Sequence, residues 1–134
     1  RLLLPGDIEA PVEARLVESL ATSDSGLGSD ILLMPHHGSA SSSTADFVKA
    51  VHPQLVIAQT GFLNRYGFPA DEVLMRYREQ ESELRNTAEG AVLIDFKTSS
   101  ADSKLHDAGW VAHVSGPVES AKRKRALQWW HDYL

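Results

Sequence analysis

Three short runs, residues 2–4, 31–34 and 55–59, apolar but for Gln59, set most of what this chain can fold into. Each has Pro, Gly or Asp within two residues of its ends and is too short for an ordinary helix, so each reads as a buried strand. Between the first two, Val12, Leu16, Val17 and Leu20 recur at helical spacing. Pro11 stands near the start of that helix, where a missing N–H is harmless. Between the second and third, Ser43-Thr-Ala-Asp46 has the pattern of a capped helix start, with Phe47, Val48 and Val51 following before Pro53. Beyond the third run, Pro69 with Asp71 and Glu72 opens another helix, with Val73, Leu74 and Tyr77 as its inner face. Alternation of strand and helix predicts an α/β layer architecture.

Residues 84–87 and 91–96 flank Ala-Glu-Gly90 and read as a hairpin. Residues 22–29 are a Ser/Gly/Asp loop, and 97–107 are polar. One further edge strand is expected at 110–114. A terminal helix is expected at 118–133, with Leu127, Trp129 and Trp130 seeking a surface to cover. The basic block Lys122-Arg-Lys-Arg125 reads as a solvated helix face, with phosphate binding as the alternative. The expected organisation is therefore a main α/β unit over residues 1–97 and a linker, strand and helix over 98–134.

Composition narrows the chemistry. With no cysteine among 134 residues, disulfides and thiolate metal sites are excluded, and a metal must rely on His, Asp or Glu. A formal net charge of −5 argues against binding nucleic acid through bulk positive charge. No apolar run approaches the roughly 20 residues that span a bilayer. The run at 2–4 is broken by Pro5-Gly6-Asp7 too early for a signal peptide, and an opening without Met suggests a segment of a longer protein.

Loops leave the C-terminal ends of the three expected strands at Gly6-Asp7, at His36-His37-Gly38-Ser39 and at 61–67. If the strands are parallel neighbours, all three loops fall on one sheet edge, where sites of open α/β folds lie. Asp7 then stands near His36 and His37, and a carboxylate beside imidazoles suits Zn²⁺ or Mn²⁺. Taken singly, Asp7 is a turn residue after Gly6, and the histidines are a polar loop. Asn64, Arg65 and Tyr66 lie between Gly61 and Gly67, where Asn and Arg can grip a phosphate, or Asn can simply hold a turn. Ser39 and the serines at 41–43 can present hydroxyls to an anion, or serve only solvation and helix capping. His52, His106, His113 and His131 read as structural or surface residues.

Leu4-Pro-Gly-Asp-Ile-Glu9, Ile31-Leu-Leu-Met-Pro-His-His-Gly-Ser39 and Asn64-Arg-Tyr-Gly67, in that order and spacing, resemble a known set. They are similar to the C-terminal part of the metallo-β-lactamase-like domain of the ComEC family, inner-membrane channel proteins of bacterial DNA uptake. The resemblance covers residues 2–96 and, loosely, the aromatic tail. It implies the C-terminal half of a four-layer αββα sandwich with a two-metal centre of Zn or Mn, and cleavage of the DNA strand that is not imported. Asp7 would match the carboxylate bridging the metals, and His36 or His37 a ligand of one ion, with a slight preference for His36. Ser39, Asn64, Arg65 and Tyr66 would line the substrate pocket. The implied partners are single-stranded DNA and the rest of the channel, with the domain on the periplasmic face.

Two departures qualify the resemblance. The fold's main metal motif, His-x-His-x-Asp-His, belongs to the N-terminal half and has no counterpart here. Many relatives also carry Gly-His-Pro after Asn-Arg-Tyr, whereas this chain has Gly67-Phe68-Pro69. The expectation is a segment that binds metal poorly and catalyses little alone, since metal affinity needs several donors together. A non-catalytic accessory domain that guides DNA or supports the channel is the alternative, and an unrelated α/β binding module a third. A half-sandwich also exposes a sheet face, so self-association, or cover by the region of Trp110, Trp129 and Trp130, is expected.

Overall fold

A computed structural model of the chain describes residues 1–21, 26–97 and 109–114. Two compact units are present, Arg1–Ala88 and Glu89–Leu134.

The first unit is built on a four-stranded parallel sheet. Its strands are β1 (Leu2–Leu3), β2 (Ile31–Leu33), β3 (Leu55–Ala58) and β4 (Glu83–Asn86), in the spatial order β1-β2-β3-β4. Parallel neighbours need crossovers, and helices α1 (Ala10–Leu20), α2 (Ala45–Val51) and α3 (Asp71–Glu79) supply them. The register sets Leu3 beside Leu32, Leu32 beside Val56, and Val56 beside Leu84. These side chains share one face with Met34 and Ala58, and all three helices pack there through Leu16, Val17, Leu20, Phe47, Val48, Val51, Val73 and Tyr77. Ile31, Leu55 and Ile57 alternate with them onto the opposite face and are buried as well. The two central strands are thus apolar on both sides, as strands inside parallel sheets generally are.

Local chemistry accounts for the helices. Thr44, one residue later than the pattern suggests, caps α2 by accepting from the Phe47 N–H. His52 ends that helix in a left-handed conformation. In α1 the inward positions are 13, 16, 17 and 20, so the buried slot belongs to Glu13, while Val12 is exposed.

Two expectations need correction. Residues 84–87 do not form a hairpin with 91–96: β4 runs parallel to β3, and β5 (Val92–Lys97) pairs antiparallel with β6 (Gly109–Val114) in the second unit. The turn signal at Gly90 is local, whereas the free edge of β3 and the apolar face offered to Leu84 lie far away in sequence. Residues 2–4 are not a buried strand either. β1 is a sheet edge only two residues long, and Leu2 and Leu4 are exposed.

The 109–114 strand is present, as the partner of β5. The expected features at 22–25, 98–108 and 118–133, including Lys122–Arg125, His106, His131, Trp129 and Trp130, lie outside the described residues. No helix among the described residues is long and apolar enough to cross a membrane.

Candidate functional site

The C-terminal ends of β1, β2 and β3 bring the three singled-out loops to one sheet edge. After β2, the Met34 N–H donates to the Ile57 carbonyl at 2.8 Å, and residues Pro35–Gly38 wind into a single tight turn. His36 and His37 both adopt left-handed backbone angles, with φ of 45° and 57°. Such a conformation costs a side-chain-bearing residue about 1 kcal/mol or more, and two in succession need external restraint. The restraint is visible. The His36 N–H donates to the Gly6 carbonyl at 3.1 Å, the Ser39 N–H to the His36 carbonyl at 2.9 Å, and the Ser42 hydroxyl to the Pro35 carbonyl at 2.9 Å. Gly38, at φ 85°, lies so close to Pro69 that an added Cβ would sit 2.5 Å from the proline Cβ. Backbone strain held in place this firmly is characteristic of functional sites.

The turn aims the two imidazoles at different carboxylates. His37 Nδ1 donates to the Gln59 carbonyl at 2.7 Å, and its Nε2 lies 3.6 Å from Asp7 Oδ1. Because a carbonyl only accepts, Nδ1 carries a proton, and Nε2 is the nitrogen turned toward the carboxylate. His36 Nδ1 lies 3.0 Å from Glu9 Oε1, within ion-pair range. The two are not aligned for a hydrogen bond, so this buried ring nitrogen has none. Glu9 Oε1 also accepts from the Ser41 hydroxyl at 3.0 Å, and Ser41 meets the Ser39 hydroxyl at 2.9 Å. Ser39 therefore belongs to the Glu9 side of the site.

Beside the histidines opens a cavity of about 520 Å³, lined by His36, His37, Gln59, Thr60, Gly61, Asn64, Tyr66 and Phe68. Asn64 acts within its own loop: its amide donates to the Phe68 carbonyl at 2.8 Å and accepts from the Phe68 N–H at 2.9 Å. Tyr66 stacks on Phe68, and Phe68 meets the edge of His36. Arg65 is not in the cavity lining and lies over the Tyr66 ring. Asp7 borders a smaller cavity, shared with His37 and Gln59.

These residues do not by themselves make a metal site. Among the described residues no three His, Asp or Glu side chains converge on one point, and each acid–imidazole pair offers two donors. A closed centre would need ligands from outside them.

Glu9, Gln59, Thr60 and Glu13 are missing from the residues that the sequence singled out. Glu9 was legible as the second acid of Asp7-Ile8-Glu9. Gln59 acts through its backbone carbonyl, for which no residue type is a sign. Glu13 is fully buried and accepts from the N–H groups of Ser43 at 2.6 Å and Thr44 at 2.8 Å. Ser43 also accepts from the Tyr77 hydroxyl at 2.9 Å, and Arg76 donates to the Ser42 and Ser43 carbonyls. Burial pushes the Tyr77 phenol far above its ordinary range, so it remains a donor. Ser42 and Ser43 are fully buried in this network, which withdraws them from any role as anion ligands.

Several known proteins are similar to this chain. Competence protein ComA of Neisseria gonorrhoeae is 35% identical over 86 residues, covering 64% of this chain and 12% of that protein. Uncharacterized protein YcaI of Escherichia coli is 26% identical over 134 residues, covering 99% of this chain and 15% of its own length. Recombination protein 2 of Haemophilus influenzae is 29% identical over 119 residues, covering 86% of this chain and 14% of its own. These relatives support a competence-protein family. This chain spans only 12% to 15% of their length. No family model and no solved structure matches it.

Proposed function

We propose that this chain supplies one edge of a metal-dependent DNA phosphodiesterase centre within a bacterial DNA-uptake protein, acting on the strand that is not imported. The His37–Asp7 pair carries this reading. With its Nδ1 proton committed to the Gln59 carbonyl, His37 presents Nε2 to the Asp7 carboxylate at 3.6 Å, and with the ring in its neutral form the two meet acceptor to acceptor. Two such groups repel unless a proton or cation stands between them. The spacing is close to the ~3.4 Å between neighbouring ligands of a tetrahedral zinc with bonds of about 2.1 Å. Metal-bound imidazoles also commonly donate their second ring N–H to a carbonyl, the role Gln59 fills. His37, rather than His36, is therefore the ligand this reading favours.

A bound Zn²⁺ or Mn²⁺ would supply Lewis acidity toward a phosphodiester oxygen. The residues of this chain hold one flank: Gln59 fixes the ring of His37, the left-handed turn aims it, and Asn64 shapes the adjoining cavity wall. The remaining ligands come, on this reading, from the His-x-His-x-Asp-His segment that the family resemblance implies. Within that protein the chain would lie on the periplasmic face of an inner-membrane channel, beside the incoming single strand.

The test is a nuclease assay on the complete domain with Mn²⁺ or Zn²⁺ added. Asp7→Asn and His37→Gln should each lower cleavage about 100-fold or more while circular dichroism stays unchanged. Undiminished cleavage in both variants would refute the assignment. A second reading, a non-catalytic domain that guides DNA, is favoured by Phe68, which stands where many members of the resembled family carry histidine and packs 6.3 Å from His36. That reading predicts no metal-dependent cleavage by the wild-type domain.

A further inference from the structure

The loop after β3 displays aromatic surface that the metal-edge reading leaves unused. Tyr66 and Phe68 stack with ring centroids 5.7 Å apart and planes inclined by 21°. Tyr66 is nevertheless 64% exposed, so its ring gains little from the core. The Arg65 guanidinium lies 5.0 Å from the Tyr66 ring centroid and donates to its hydroxyl at 2.8 Å. Both Asn64 bonds to the Phe68 backbone, with the Asn64 N–H donating to the Gly61 carbonyl, hold the loop in this form. The rings are pre-organised, so a ligand stacking on them pays little ordering entropy.

We infer that Tyr66 and Phe68 form a stacking subsite for a nucleobase of single-stranded DNA, beside the His37–Asp7 pair. A planar π-face flanked by a guanidinium suits a base, and stacking accepts any base because each has such a face. The adjoining cavity, about 520 Å³, is within the range of small-molecule sites, and its lining mixes the aromatic rings of Tyr66 and Phe68 with the polar residues Gln59 and Thr60. Because His36 and His37 line the same cavity, a base seated there brings its own phosphate toward the acid–imidazole edge. With a net charge of −5, the chain gains little from phosphate attraction, so binding through this subsite should depend weakly on salt. The inference rests on the DNA reading for its ligand, and on neither metal nor cleavage.

The experiment is a fluorescence-anisotropy titration of the full chain in EDTA. Its probes are a labelled oligothymidine and an abasic oligomer of equal length. Tyr66→Ala should weaken oligothymidine binding about tenfold, Tyr66→Phe should restore it, and neither should alter binding of the abasic strand. Equal losses on both strands, no loss in Tyr66→Ala, or wild-type binding of duplex as tight as single strand would overturn the subsite. If cleavage by the complete domain fails while this base-dependent loss persists, the phosphodiesterase reading falls and the subsite stands. The reverse result removes the subsite alone.

Discussion

Glu13 occupies a position that helical periodicity reserves for an apolar side chain. Its two carboxylate oxygens satisfy the Ser43 and Thr44 N–H groups at the start of α2, so the acid ties α1 to its neighbour. Truncation would leave two buried donors without partners, each a penalty of about 1–3 kcal/mol. Glu13→Ala should therefore lower unfolding free energy by about 3 kcal/mol in urea titration, with Glu13→Gln losing less because one acceptor remains. A loss below about 0.5 kcal/mol for the alanine variant would contradict this role. The left-handed angles of His36 and His37 belong to the same scale and were not legible in sequence. Histidine is among the side-chain-bearing residues enriched at positive φ, but such residues remain uncommon there, and residue type does not announce two in succession. The turn is held by the Gly6 carbonyl, the Ser42 hydroxyl and Pro69, and of these Gly6 and Pro69 lie about 30 residues away in the chain.

At the scale of elements, β2 and β3 were readable because both faces of each are apolar, and α3 because its inner face repeats at helical spacing. The convergence of three loops followed from connectivity: strands joined through helices run parallel, so their C-terminal ends share an edge. The failures share one cause. The hairpin assigned around Gly90 and the burial assigned to β1 relied on local signals, while strand pairing is decided by partners far off in sequence. The turn after β2 packs tightly against the segment that leads into α3. Gly38 stands at φ 85°, with Pro69 and Met34 filling the space a Cβ would enter. Gly38→Ala should destabilise the chain by about 2–3 kcal/mol and shift the backbone resonances of His36 and His37. A variant as stable as wild type, with those resonances unmoved, would show that the turn is not locked from this side.

At the scale of the whole molecule, the first unit is a single-faced helical cover over a parallel sheet, and its chemistry is concentrated at one end. That end carries two acids, two imidazoles and an aromatic–guanidinium loop, contributed by three successive connections. The sequence exposed most of these residues but not their division into two pairs, since the ring directions depend on the turn and on the Gln59 carbonyl. The central claim is that His37 and Asp7 together face a cation. Mn²⁺ added in small amounts to the chain, followed through paramagnetic broadening of its histidine side-chain resonances, tests it most directly. His37 should broaden first, His52 should be spared, and Asp7→Asn should abolish the selectivity. Uniform broadening of the histidines, or selectivity that survives Asp7→Asn, would contradict the account.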